Sequence, residues 1–319
     1  MKKLLASLLL LAATCVHAQD WPSRPVKVVV PYPAGGGHDF ASRVVAQWLA
    51  DNLKQPFVVE NRTGASGTIG TDYVAKSAPD GYTFVVASPA EIVVGPTAGL
   101  KVPYDWQKDL APVTVIGETP LAVVLHPSVP VKSMKELLDY AKKSPGKLSY
   151  GTPGLGSTMH FAGESMKALG KIFIVHIPYR GAAPAVQDLL GGQIEMGIAG
   201  LPPVVGPHNA GRLRIVGVTS AKRSAALPDV QAVAELPGFA GYNFTNWTGV
   251  FVAAKTSPET IGKLAAAIAR AVQDPGVKEK LVKAGVDPLG LPPAEFARFL
   301  QREHDTYSKI AKARGIKVN

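Results

Sequence analysis

The sequence predicts an α/β fold, on two observations. Short apolar runs suited to buried strands alternate with stretches whose apolar residues recur at helical spacing. Twice, moreover, such a strand runs into a glycine-rich turn that opens a helix. Strands alternating with helices in this way imply parallel sheets with helices on both faces.

The elements follow in order. Residues 26–30 (VKVVV) form a short apolar run, closed by the turn Pro31-Tyr32-Pro33-Ala34-Gly35-Gly36-Gly37. Phe40, Val44, Val45, Trp48, Leu49 and Leu53 then keep helical spacing. Further strands are expected at 57–60, 82–87, 113–117, 121–125, 148–150, 172–177, 194–198, 214–219 and 248–253. Helices lie between them, one opened by the capping box Ser133-Met134-Lys135-Glu136. The C-terminal stretch is helical over 258–273, 277–284 and 293–314, and no repeat of solenoid length interrupts the pattern.

Residues 1–18 read MKKLLASLLLLAATCVHA: two lysines, a short apolar core, then the small-residue site Val16-His17-Ala18. This is the layout of a cleaved secretory signal, because the apolar core is too short to span a bilayer. The only cysteine, Cys15, lies inside it. A lipoprotein would keep Cys15 as its first residue, but Thr14 and Ala12 fit that signal poorly. Cleavage after Ala18 leaves a chain without disulfides or a thiol nucleophile.

At 46% apolar and 18% charged residues the chain is globular in composition. Net charge is +10, or +8 once Lys2 and Lys3 are removed. The basic residues are scattered and do not interleave with aromatics, which argues against nucleic acid and fits a weak field favouring anionic solutes. The sequons at Asn61, Asn243 and Asn246 would carry no weight if the host were bacterial.

The two glycine turns are the informative motifs: VVVPYPAGGGHDFASR, and LSYGTPGLGSTMHFAGE beginning at Leu148. Glycine lets backbone N–H groups approach a ligand without a Cβ in the way, and the helix behind contributes a positive dipole end and unpaired donors. In an open α/β sheet such turns lie at the carboxyl ends of strands, where ligands bind. One alone is better read as a structural turn; a pair in separate lobes suggests jaws gripping opposite ends of one ligand.

Seven collinear segments carry a resemblance: WPSRPVKVVVPYPAGGG, VVENRTGASGTIGTDYVAKSAPDGYT, PYDWQKDLAPV, PGKLSYGTPGLGSTMH, VHIPYRGAAPAVQDLLGGQIE, GRLRIVGVTSAKRSAALPDV and the helical tail. From Trp21 to Gly315 the chain resembles the Bug/TctC-type extracytoplasmic solute receptors that feed tripartite tricarboxylate transporters. The resemblance implies a two-lobed periplasmic-binding-protein fold (type II-like) with two crossing strands as hinge. Lobe one would be 22–122 plus 249–319 and lobe two 123–248. It implies a periplasmic, monomeric receptor without cofactor or metal, capturing a small organic carboxylate for membrane transporter subunits and not binding nucleic acid. A receptor that reports to a membrane sensor is the alternative.

Carried over residue by residue, the resemblance places Ala34, Gly35, Gly36, Gly37 and His38 in the first jaw, with Ser88 on the same rim. The second jaw takes Thr152, Gly154, Leu155, Gly156, Ser157 and Thr158, then Tyr179, Arg180, Gly181, Ala182 and Ala183. Hydroxyl and N–H groups donate, and an arginine can pair a carboxylate bidentately; a surface salt bridge is the other reading of Arg180. Two departures stand out. Many relatives carry Asp where this chain has Ala199, so a partner for a ligand ammonium is missing. His38 replaces a small polar residue and either donates to the ligand or faces solvent. Tyr32, Tyr179 and Trp247 either stack on an aromatic acid or pack.

Enzyme chemistry finds little support. No histidine pair has the i, i+4 spacing of a helical metal site. Ser144-Pro145-Gly146-Lys147 matches S-x-x-K only formally, because Pro-Gly makes a turn where a helix is needed. Ser157 and His160 lack a G-x-S-x-G elbow, so a hydrolase is the least favoured reading.

Overall fold

Strand β1 (Val26–Val30) is buried along nearly its whole length and is followed by helix α1 (Gly37–Leu53). Ala41, Val45, Ala46 and Leu49 of α1 pack on Val26, Val28 and Val30, as the helical spacing required. Then come β2 (Phe57–Asn61), α2 (Thr68–Ala75) and β3 (Thr83–Ala87). β1 lies between β2 and β3, parallel to both. The computed structural model describes residues 21–317, so the expected signal at 1–18 lies outside the described residues.

A single strand, β4 (Leu110–Leu125), carries the chain out of this first sheet into a second. There follow α3 (Met134–Lys143), β5 (Ser149–Thr152), α4 (Thr158–Gly170), β6 (Val175–Pro178), α5 (Ala182–Leu190), β7 (Met196–Gly200), α6 (Pro202–Asn209) and β8 (Arg214–Val218). β5 sits between β6 and β7, parallel to both, repeating the arrangement around β1. β9 (Thr245–Ala253) returns antiparallel to β4, and α7 (Pro258–Gln273), α8 (Pro275–Lys283), β10 (Asp287–Pro288) and α9 (Pro293–Arg314) complete the chain. The sheet order is β2-β1-β3-β9-β4-β7-β5-β6, with β8 and β10 also on β4.

The result is two α/β lobes joined by the crossing strands β4 and β9. Two sequence expectations are corrected. The strands expected at 113–117 and 121–125 are one, because Gly117, Glu118, Thr119 and Pro120 continue the pairing with Thr248, Trp247, Asn246 and Thr245. Pro120 lacks an N–H to donate to the ladder, yet it pairs with Thr245 within the strand. The sheets are also not wholly parallel: β4 and β9 run antiparallel to each other and to their neighbours. Crossing strands that return the chain to the first lobe must reverse direction. The capping box is half kept: Ser133 accepts from the Glu136 N–H at 3.2 Å, while Glu136 reaches Lys132 N–H at 2.8 Å rather than Ser133.

α9 packs against both halves. Its Phe296 meets Phe251 and Trp247 of β9, with ring centroids 5.2 and 5.9 Å apart. Three turns on, Tyr307 meets Phe161 of α4 and Phe244 at 5.0 and 5.7 Å. One buried cluster therefore runs beneath the hinge from β3 to α4. Such edge-to-face aromatic contacts add to the stabilisation that burial of these rings gives.

Candidate functional site

Both glycine turns stand at the carboxyl ends of central parallel strands, the first after β1 and the second after β5. In the first, Ala34, Gly35, Gly36 and Gly37 are exposed and His38 is half-buried. Gly35 needs its glycine, at φ 83°, whereas Gly36, at φ −77° and ψ 167°, has a backbone any residue can adopt. α1 begins without a side-chain cap, which leaves the donors of its first turn without intrahelical partners.

Asp39, 3% exposed, shapes this loop. Its Oδ2 accepts from Gly35 N–H and Arg43 Nε, both at 2.9 Å, and its Oδ1 accepts from Asn61 Nδ2 at 2.8 Å. Burial opposes its ionisation, but these donors outweigh burial and hold its pKa at about 2. Asn61 also donates to the Tyr32 carbonyl at 2.9 Å. The amide that the sequence presents as a sequon is thus a brace between β2 and the loop.

Ser88 is buried at 4% exposure. Its hydroxyl donates to Glu91 Oε2 at 2.7 Å, lies 2.6 Å from the Tyr32 hydroxyl and accepts from Ala90 N–H at 3.1 Å. Tyr32 also donates to Glu91. Burial pushes Glu91 up to about 7. The proton of Ser88 is therefore spent inside the lobe. His38 lies against the Tyr32 ring at 4.9 Å, and its Nε2 donates to the Trp247 carbonyl on β9 at 3.4 Å. Burial lowers the imidazole to about 4, so it is neutral at pH 7. Trp247 is fully buried, its Nε1 donating to Glu303 at 3.3 Å, which makes it a packing residue.

In the second jaw the loop between β5 and α4 is tied to the segment after β6. Tyr179 N–H donates to the Thr152 carbonyl at 3.0 Å and Gly181 N–H to the Pro153 carbonyl at 2.9 Å. The structure thereby brings Thr152, Gly154, Leu155, Gly156, Ser157 and Thr158 together with Tyr179, Arg180, Gly181, Ala182 and Ala183. Ser157 is the N-cap of α4: it accepts from His160 N–H at 3.2 Å and donates to the Gly154 carbonyl at 2.8 Å. The His160 imidazole takes no proton from Ser157, so no nucleophile–base pair forms.

The Thr152 hydroxyl is buried against His176 Nε2 at 2.7 Å. Tyr179 donates its hydroxyl proton to Asp188 at 2.8 Å, and burial with that bond pushes its pKa up to about 12. Arg180 is exposed and makes no ion pair or side-chain hydrogen bond among the described residues. Ala199, 6% exposed, lines an apolar crevice of about 10 Å³ with Gly151, Pro153, Ala182 and Leu189.

Sequence reasoning named the loops but missed what braces them: Asp39, Glu91 and His176 were not singled out, Asn61 was read only as a sequon and His160 only as a base for Ser157. It also missed the segment between β2 and α2, where Ala65 and Ser66 hold φ 45° and 54°. Non-glycine residues rarely occupy that region, which costs about 1–3 kcal/mol each. The segment reaches the first jaw through Gly67, where an added Cβ would lie 3.1 Å from the Tyr32 hydroxyl and 3.0 Å from the Glu91 carboxyl. The left-handed Ala65 and Ser66 had no signal in the sequence; Asp39, in the first turn of a helix, had one.

Residues 41–316 match the profile of the tripartite tricarboxylate transporter family receptor, TctC. The chain is 36% identical to Protein BugT of Bordetella pertussis over 324 residues, covering 100% of this chain and 99% of that protein. Among solved structures it is similar to R. palustris Rpa4515 with adipate, at 34% identity and TM-score 0.77, covering 93% of this chain and 99% of the other. It is also similar to a TctC solute binding protein from Polaromonas, at 29% identity and TM-score 0.80, covering 92% and 99%.

Proposed function

The chain belongs to the tripartite tricarboxylate transporter receptor family, a family of solute-binding proteins rather than enzymes, and from that premise we propose that it captures a small organic carboxylate without a free amine between its two jaws. The observation that carries this reading is the pair of glycine loops at the carboxyl ends of β1 and β5, each opening a helix. The side-chain hydroxyls of Ser88, Thr152, Ser157 and Tyr179 are engaged within the chain. Recognition then falls to backbone N–H groups at the starts of α1 and α4 and to the Arg180 guanidinium. Each charge-assisted hydrogen bond is worth about 1.5–3 kcal/mol, so a few supply much of the roughly 8 kcal/mol of micromolar binding.

The exclusion of amines rests on acceptors. The Ala199 side chain offers none, and of the carboxyls behind the first jaw Asp39 is already held by Gly35, Arg43 and Asn61 and Glu91 by Tyr32 and Ser88. A desolvated ammonium would stay unpaired, at a cost of several kcal/mol. Exposed apolar side chains at the loops, Leu155 and Phe40, suit an aliphatic body such as that of adipate, which the R. palustris relative holds. The receptor would work in the periplasm after export and pass its ligand to membrane transporter subunits. No helix among the described residues is long and apolar enough to cross a membrane.

A thermal-shift panel of pairs differing only by an amine, succinate with aspartate and adipate with 2-aminoadipate, tests the ligand class. Stabilisation grows with affinity at fixed concentration, and the larger shifts are expected from the amine-free acids. Consistently larger shifts from the amino acids would overturn the reading. Closure of the lobes is expected on saturation and is checked by small-angle scattering; an unchanged radius of gyration at saturation would refute it.

A further inference from the structure

Two histidines meet directly behind the second jaw. His160, in the first turn of α4, and His176, in β6, stack with ring centroids 4.0 Å apart and planes 10° from parallel. Tyr150 of β5 lies against His176 at 4.8 Å. Each imidazole holds one end of the loop. His176 Nε2 is 2.7 Å from the hydroxyl of Thr152, where β5 ends, and His160 Nδ1 accepts from the Gly156 N–H at 3.2 Å. A ring nitrogen that accepts carries no proton, so His160 is the neutral tautomer protonated on Nε2. Burial lowers both imidazoles, His176 to about 3, with Glu164 and Lys167 the charged neighbours, so the pair is neutral at pH 7.

Building on the carboxylate reading above, we propose that the stacked His160–His176 pair is the positioning element of the second jaw. By drawing the Gly156 N–H inward and anchoring Thr152, it fixes the loop so that the donors at the start of α4 face the ligand. Simple packing does not account for it. A phenylalanine at 160 would stack as well, but it would leave the buried Gly156 N–H without an acceptor, and the loop would turn to satisfy it. Gly156 sits at φ 70°, a conformation glycine can leave as readily as hold, so the bond to His160 decides which way its N–H points.

The test separates ring from acceptor in the full chain. His160→Phe keeps the stack and removes the acceptor; His160→Asn keeps a short acceptor and removes the ring. With adipate as probe in calorimetry, His160→Phe is expected to bind about tenfold more weakly, because the ligand must then restore a loop form that the Gly156–His160 bond no longer holds, and His160→Asn within about threefold of the parent. In the unliganded parent, nitrogen NMR is expected to show His160 Nδ1 without a proton and coupled to the Gly156 amide. Unchanged affinity in His160→Phe, equal losses in both variants, or a proton on Nδ1 would each overturn the proposal. If the parent binds neither adipate nor succinate, the carboxylate reading fails, and the nitrogen spectrum still decides the role of the pair.

Discussion

Gly156→Val is expected to reduce carboxylate binding at least about a hundredfold while leaving the fold in place. Gly156 holds φ 70°, which a β-branched residue occupies only at a cost of roughly 1–3 kcal/mol. The chain can relieve that strain by rotating the peptide, which breaks the Gly156–His160 bond and turns the donors of the loop away. Two or more charge-assisted bonds lost together correspond to about a hundredfold or more. Gly36→Val provides the contrast. Its backbone at φ −77° tolerates valine, and the new Cβ would approach only the Pro33 carbonyl, at 3.4 Å. The structure of that variant should be unperturbed, and any loss of affinity would come from bulk placed over an exposed turn. Circular dichroism and calorimetry on both proteins check this. Parent affinity in Gly156→Val would remove the second loop from the site, and parent affinity in both would remove the site altogether.

Stability is expected to peak near pH 6 and to fall on both sides for different reasons. Glu303, on α9 and 7% exposed, is pushed up to about 8 by burial, against which the Trp247 N–H gives only partial compensation. Glu91 is pushed up to about 7 in the same way. A carboxyl whose folded pKa is raised contributes its stability fully below the unfolded value near 4.5 and loses it as pH rises through the folded value. His38 and His176 act oppositely. Their pKa values of about 4 and about 3 lie below the unfolded value near 6.5, so their contribution is complete above pH 6.5 and is lost as pH falls. Above pH 6.5 only the carboxyls act, and Glu303 alone removes about 2 kcal/mol between pH 6.5 and 8. A melting temperature several degrees lower at pH 8.5 than at pH 6.5 is expected, and Glu303→Gln should abolish most of that difference. A flat alkaline limb in the parent, or an unchanged one in the variant, would show that the Glu303 carboxyl is not the titrating group.

Position 303 shows where sequence reasoning stops. The pattern Phe296, Leu300, Tyr307 marks the buried stripe of α9, but Glu303 falls on the same stripe, and a charged letter in an apolar face reads as solvent until its surroundings are known. The limit is the same in the jaws. Glycine turns are legible because clustered glycines mark a turn that needs left-handed backbone at some of its positions, here Gly35 and Gly156, and their position after apolar strands names the carboxyl edge of a sheet. What the hydroxyls beside them do is not legible. Ser88, Thr152 and Ser157 look like ligand donors as letters, yet each hydroxyl is engaged by a partner contributed by folding: Glu91, His176 and the Gly154 carbonyl.

By itself, then, the sequence determined the alternation of strands and helices, the two glycine loops and the family, because each is written in local periodicity, local backbone freedom or long collinear segments. Only the tertiary structure decided that 110–125 is one crossing strand and that α9 packs on both lobes. It alone also decided that the loops are braced from behind by Asp39 and Asn61 in one lobe and by His160 and His176 in the other. Those features depend on contacts between residues far apart in the chain, such as Asn61 with Tyr32 or His176 with Thr152. A hydrogen bond of that kind is specified by the fold that brings its donor and acceptor to about 3 Å, and neither residue announces it alone.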